Sequence, residues 1–287
     1  MTSTLVSGSG TFALGATTTV NRLGYGTMQL TGKGVWGDPA DPDEAIRVLR
    51  RAVELGVNFI DTADSYGPFV AEELIRRALH PYPEGLVIAT KAGLTRSGPD
   101  KWLPVGRPEY LRQQCELSLR HLGLERIELF QLHRLDAKLP IAEQVGELAK
   151  LQQEGKIGHI GLSEVSVAQL HEAQQTATIV SVQNLYNVTE RSAQELLDHC
   201  EAQDIGFIPW FPLATGKLAA DGGPLEAIAT EIGAQPSQLA LAWLLRRSPV
   251  MLPIPGTSSV AHLEDNLQAA SIELTDEQFQ TLTDAAG

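Results

Sequence analysis

Apolar residues along this 287-residue chain follow two alternating rhythms: short near-continuous runs, and longer stretches with an apolar position every three or four residues. The opening segment "TFALGATTTVNRLGYGTM" holds two short β-type runs around Gly15-Ala16 and predicts a small hairpin, with a further strand near Asn21–Gly26. In "DPDEAIRVLRRAVELG", Asp41 is placed to cap a helix. Pro42 takes its first position, and Ile46, Leu49 and Val53 recur at helical spacing before Gly56 stops it. The strand Val57–Ile60 follows.

That unit repeats to the end of the chain. The predicted helices are Ala71–Leu79, Glu109–His121, Ile141–Gln153, Val167–Gln175, Arg191–Gln203 and Pro236–Arg246, with a last one beginning near Val260. They alternate with strands Gly85–Lys91, Ile127–His133, Lys156–Ser163, Ile179–Tyr186, Ile205–Leu213 and Val250–Thr257. Apolar strands separated by helices make a parallel sheet whose outer face is covered. With the strand near Asn21–Gly26 counted, the tally of strands is eight. A doubly wound sheet is the competing architecture, yet no GxGxxG follows an early strand. The predicted fold is α/β, a (β/α)8 TIM barrel with a short N-terminal β-hairpin, forming one domain over residues 1–287.

Bulk properties narrow the function classes. Hydrophobic residues make up 43% and charged residues 20%, as in an ordinary globular protein. The formal net charge of −13 argues against nucleic acid and against anionic membrane surfaces, which both need a basic face. No apolar run is long enough to span a bilayer, and the first residues lack the basic start and apolar core of a secretory signal. Cys115 and Cys200 form no CxxC and no Cys/His cluster has zinc spacing, so a metal-free protein of a reducing, cytoplasmic compartment is expected.

In such a barrel the chemistry gathers at the C-terminal ends of the strands. Three consecutive strands end in Asp61, Lys91 and His133, and "VNFIDTADSYGP" adds Tyr66 just beyond the first. Alone, each has an ordinary reading: a turn aspartate, a snorkelling lysine, a loop histidine, a rim tyrosine. Together at one mouth they make a proton-handling set. A phenol keeps its proton at neutral pH, and a neighbouring ammonium is expected to pull its pKa down and make it a better acid. Asp61 would fix Lys91, and a neutral His133 would orient a substrate oxygen. With no nucleophile and no metal, the set is suited to protonating a carbonyl oxygen while a cofactor delivers hydride to the carbon.

The motifs "NRLGYGTMQL", "NFIDTADSYG", "ATKAG", "ELFQLHR", "IGHIGLS", "SVQNLYN" and "IPIPGTSS", in this order, resemble the aldo-keto reductases over essentially the whole chain. The resemblance implies a catalytic set of Asp61, Tyr66, Lys91 and His133, with NADPH (less readily NADH) extended across the barrel mouth. Gly26, Thr27, Met28 and Asp61 would border the nicotinamide. Ser163 and Gln183 would bind its carboxamide, and Trp210 would stack on its ring. Leu213, Gly216 and Leu218 would flank the pyrophosphate. Gly256, Thr257, Ser258, His262, Asp265 and Asn266 would take the adenosine phosphate, where a helix N-terminus favours an anion. Two positions depart from the family: Glu164 replaces the usual Asn, an acceptor where an amide also donates. His262 stands where many members have Arg, and a neutral His holds phosphate less firmly.

The loops "TGKGVWGDP" and "GPDKWLPVGRPEY" are expected to wall a pocket for a small-molecule carbonyl substrate, with Trp36, Phe69 and Trp102 as aromatic surfaces. The combination "GVWGDP", "WLP" and "PIPGTSSVAHLEDN" looks most like the bacterial branch that includes pyridoxal reductases, with bulkier ketones as other candidates. Two further readings stay open here: a Schiff-base aldolase on Lys91, and a non-catalytic nicotinamide-binding regulatory subunit. Oligomeric state and direction of reaction are not legible in the sequence.

Overall fold

The computed structural model of the protein describes residues 4–213 and 224–284. Strands β1 (Thr11–Leu14) and β2 (Thr18–Asn21) form the antiparallel hairpin read from the sequence. Gly15 begins its turn at φ 63, where a side chain would be strained and a Cβ would also strike the His159 ring. The barrel then opens with β3 (Tyr25–Gly26) and continues through α1 (Pro42–Glu54), β4 (Phe59–Asp61), α2 (Val70–Leu79) and β5 (Val87–Ala92). Asp41 caps α1 as expected, its carboxylate accepting the Glu44 amide at 2.9 Å.

A small antiparallel pair, β6 (Leu94–Arg96) and β7 (Trp102–Pro104), rises from the loop after β5 and was not anticipated. The alternation resumes with α3 (Pro108–Leu122), β8 (Ile127–Leu132), α4 (Ile141–Gln153), β9 (Ile157–Ser163) and α5 (Val167–Gln174). It continues through β10 (Ile179–Leu185), α6 (Gln194–Ala202) and β11 (Gly206–Trp210). Helices α7 (Pro224–Ile232), α8 (Pro236–Arg247), α9 (Val260–Gln268) and α10 (Asp276–Asp284) complete the described residues. Neither α7 nor α10 was read from the apolar pattern.

The parallel strands lie in the order β3-β4-β5-β8-β9-β10-β11, a seven-stranded sheet among the described residues. The expected eighth strand, Val250–Thr257, is extended but not a regular strand. It closes the ring through single bridges, Met251 with Phe207 on one side and Gly256 with Gly26 on the other. Leu252 donates to Phe207 O at 2.7 Å and Gly24 donates to Pro253 O at 2.9 Å. Pro253 and Pro255 have no N–H to give a ladder, which limits this edge to bridges.

Two apolar layers result. Helices cover the outside of the sheet through residues such as Ile60, Ile88, Phe130, Val182 and Phe207. Inside the barrel, Phe59, Val87, Ala89, Leu129, Ile208 and Ile254 pack together with Leu14 and Val20 of the hairpin. Because strand side chains alternate in direction, the parity that sends Phe59, Val87, Leu129 and Ile208 inward also sends Asp61, Lys91, Gln131 and Trp210 inward, one step nearer the C-terminal mouth. The lower interior is apolar and the upper interior polar.

Candidate active site

The polar upper layer is almost entirely removed from solvent. Lys91 is 0% exposed and Asp61 1% exposed, and their ion pair has Nζ–Oδ2 2.6 Å. Lys91 also donates to Thr62 O at 2.8 Å. The second oxygen of Asp61 accepts from Gln131 Nε2 at 3.1 Å and from Gln183 Nε2 at 2.9 Å. Both amides lie on inward positions of their strands, so the carboxylate is held from β5, β8 and β10 at once. Burial disfavours the Lys91 ammonium, but the Asp61 carboxylate and the Tyr66 phenol outweigh it and hold its pKa above the usual lysine value. Lys91 is therefore a fixed cation.

Tyr66 lies with its ring centroid 5.2 Å from Lys91 Nζ and makes an edge contact with His133 at 5.9 Å. Burial raises the phenol above 10.0, and the Lys91 charge opposes that rise. Lys91 acts in the expected downward direction, and burial, which the sequence does not show, outweighs it because the phenolate is dehydrated. His133 is held well below 6.5, first by burial and then by the charges of Lys91, Arg134 and Arg96. Its Nδ1 lies 3.2 Å from Ser65 Oγ. If Ser65 donates, the ring proton sits on Nε2. Behind this set Glu72 is fully buried and accepts from Thr90 Oγ1 at 2.6 Å; burial pushes its carboxyl up to about 7.

A cavity of about 660 Å³ opens over these groups. Asp61, Tyr66, His133 and Gln183 line it, with Gly26, Thr27 and Met28 from the end of β3. Trp210, Leu213 and Gly256 line it as well. Trp210 is pinned: its indole N–H donates to Glu164 Oε1 at 2.5 Å, and the same oxygen accepts the Leu185 amide at 2.8 Å. Glu164, in the left-handed region at φ 55, thus turns its carboxylate onto a neighbouring ring. Ser163 Oγ accepts from Arg134 Nη1 at 3.0 Å.

Trp102 lines the cavity and lies 6.4 Å from the His133 ring. Trp36 is not among the lining residues, although its neighbour Val35 is. Arg96 joins these loops: its guanidinium carbon is 3.5 Å from the Trp102 centroid and 5.7 Å from that of Trp36. It donates to Val35 O and Ser65 O at 2.8 and 2.7 Å. Phe69 does not line the cavity. At φ 64 it precedes α2, and its ring stacks on His121 of α3 at 4.4 Å.

At the last bridge, Tyr25 donates to Thr257 O at 2.6 Å. Ser258 and His262, at the start of α9, are exposed, whereas Asp265 is half-buried and Asn266 buried in its second half. Ser259 caps that helix. Val260 N donates to a carboxylate from α1, Glu44 Oε1, at 3.3 Å. Gly216 and Leu218 lie outside the described residues. Arg134, Phe211 and Arg96 escaped the sequence reading. Arg134 had a signal, its place next to His133 in "LHR". Phe211, 49% exposed at φ 57 and lining the cavity, had its place after Trp210.

An uncharacterized oxidoreductase of Schizosaccharomyces pombe is 51% identical over 92% of this chain and 86% of its own length. Pyridoxine 4-dehydrogenase of Escherichia coli is 45% identical over 96% of this chain and 97% of its own. A crystal structure of an aldo-keto reductase from Klebsiella pneumoniae in complex with NADPH superposes with TM-score 0.79 at 25% identity, covering 92% of this chain and 90% of that one. The Aldo/keto reductase family model matches residues 22–286, and the chain belongs to that family of oxidoreductases.

Proposed function

We propose that the protein reduces a small aldehyde or ketone to the alcohol with NADPH, and that pyridoxal is the leading substrate. The observation that carries this reading is the buried Lys91–Asp61 ion pair beneath Tyr66, in one cavity with His133 and Trp210. The residues present fit a nicotinamide dinucleotide. Trp210 offers a flat face fixed by Glu164, and Thr257, Ser258 and the start of α9 offer hydroxyls and amides. When bound, the nicotinamide supplies hydride to the carbonyl carbon.

The chain's own groups handle the proton. Tyr66 donates its phenolic proton to the carbonyl oxygen as negative charge develops there. Lys91, kept cationic by Asp61, stabilises the phenolate that remains. His133, neutral and with Nδ1 facing Ser65, gives an Nε2–H to hold the oxygen in place. The same Lys91 pairing disfavours the Schiff-base reading, since an amine attacking a carbonyl must first lose its proton. A cytoplasmic location and a single barrel domain belong to the proposal. Cys115 and Cys200 are buried free thiols, and no helix among the described residues is long and apolar enough to cross a membrane.

The pyridoxal assignment draws on the 45% identity to an enzyme named for pyridoxine and on the aromatic lining of Trp102 and Trp210. The test follows loss of reduced-nicotinamide absorbance with pyridoxal, using NADPH and NADH in parallel, for wild type and Tyr66→Phe. Turnover with NADPH that falls about 10²–10⁴-fold in the variant, while cofactor still binds, supports both assignments. Brisk reduction of generic aldehydes with pyridoxal at background removes the substrate assignment alone. NADPH binding with no turnover of any carbonyl moves the regulatory-subunit reading forward.

A further inference from the structure

Three arginines, Arg22, Arg96 and Arg134, sit in surroundings dry enough to lower their pKa. Two of them are fully engaged. Arg22 donates from Nε, Nη1 and Nη2 to the carbonyls of Met251, Ser9, Leu245 and Ser248. Arg96 likewise uses all three nitrogens on the carbonyls of five loop residues. Arg134 uses only Nη1, which donates to His133 O at 2.6 Å and Ser163 Oγ at 3.0 Å. Among the described residues its Nε and Nη2 meet no acceptor, and no carboxylate lies within ion-pair distance. It is also the one of the three that lines the cavity.

A half-buried guanidinium with unused donors carries a strong preference for an anionic acceptor. Local charges do not supply one. Glu164 acts on Arg134 only through space, with its Oε1 taken by Trp210 and Leu185. Asp100, also on the cavity wall, is exposed and acts on Arg96. Asp61 is spent on Lys91, Gln131 and Gln183. The two bonds from Nη1 fix the guanidinium plane, so its free edge is preorganised. His133 and Arg134 are consecutive at the end of β8. Both line the same cavity, and the Arg134 charge acts on the His133 ring, so a substituent beside a carbonyl held at His133 shares that space with Arg134.

We propose that Arg134 is a specificity-determining residue that selects aromatic carbonyl substrates bearing an oxyanion, phenolate or carboxylate, ortho to the carbonyl group. This rests on the carbonyl reduction proposed above and defines its substrate class. Pyridoxal belongs to that class through the phenolate beside its aldehyde. Neutral aromatic aldehydes of the same size do not.

The test compares two matched pairs, pyridoxal with pyridine-4-carboxaldehyde and 2-carboxybenzaldehyde with benzaldehyde, in wild type, Arg134→Met and Arg134→Lys. The readout is the ratio of kcat/KM within each pair. Arg134→Met is expected to lower both ratios roughly tenfold or more, chiefly through KM, and Arg134→Lys to lower them less. Ratios unchanged in both variants, whatever the absolute rates, overturn the proposal. A drop in the benzaldehyde pair with no pyridoxal turnover keeps the proposal and removes pyridoxal.

Quenching of tryptophan fluorescence by benzoate and by benzamide reads the same site without turnover. Benzoate affinity should fall at least about tenfold more than benzamide affinity in Arg134→Met. Equal losses overturn the anion site. If no aldehyde is reduced by wild type yet the benzoate effect appears, carbonyl reduction fails and the anion site stands.

Discussion

At the residue scale, the proposed chemistry depends on three titratable groups whose environments separate their pKa values. Reduction requires Tyr66 protonated and His133 neutral. Burial puts the Tyr66 pKa above 10.0 and the His133 pKa well below 6.5, with Lys91 opposing the first shift and adding to the second. In the reductive direction kcat/KM should therefore be level from about pH 6.5 to about pH 10. It should fall on the acid side as His133 gains a proton and on the alkaline side as Tyr66 loses one. Lys91→Met removes the cation common to both, so both limbs should move to higher pH as the plateau drops. Profiles at saturating cofactor for both proteins check this. An alkaline limb centred near pH 8 in wild type would exclude Tyr66 as the acid. Asp61, Tyr66, Lys91 and His133 were legible in sequence because each ends or follows a strand. The sign of the Tyr66 shift was not, since neither the burial of the phenol nor its balance against Lys91 is written in residue order.

At the element scale, helix ends and short hairpins decide what reaches the cavity. The anion seat expected at the start of α9 is partly taken by Glu44, whose Oε1 accepts from Val260 N while its Oε2 pairs with Arg47 at 2.7 Å. Glu44 stands in the first turn of α1, and its contact with α9 joins two helices far apart in sequence. A carboxylate at that position opposes a second anion, and with His262 in place of Arg it weakens any preference for the 2′-phosphate. Glu44→Gln keeps an acceptor for Val260 and removes the charge. NADPH affinity should rise up to about 5-fold relative to NADH, corresponding to the 0.3–1 kcal/mol of one charge near a helix end. Dissociation constants of both cofactors from fluorescence titration decide it, and equal shifts for the two would place the phosphate elsewhere. The β6–β7 pair was missed in the sequence. "TRSGPDKWLP" carries Gly-Pro turn residues but little apolar alternation, and Arg96 holds its neighbouring loops through carbonyls, which no side-chain pattern records.

At the scale of the whole molecule, strand parity divides the barrel into an end that holds it together and an end that reacts. The repeated strand–helix pattern and the inward parity of Asp61 and Lys91 made the barrel and its reactive mouth readable. The irregular closure through residues 250–256 was not, because two prolines break the ladder there. The hairpin completes the opposite end, where Leu14 and Val20 are 0% exposed among Phe59, Leu129, Ile208 and Leu252. Leu14 does not line the cavity, and it packs in one cluster with Phe59, Val87, Ala89 and Leu129 on the side away from the polar layer of Asp61 and Lys91. Leu14→Ala should therefore cost about 2–5 kcal/mol of unfolding free energy, the usual range for emptying a buried leucine site. The folded fraction should retain wild-type KM and kcat at a temperature below its transition. Urea unfolding followed by both fluorescence and enzyme activity measures the two quantities on one sample. A loss of kcat in fully folded Leu14→Ala would mean that strain at the plugged end reaches Lys91 along β5, and the division of labour between the two ends would have to be given up.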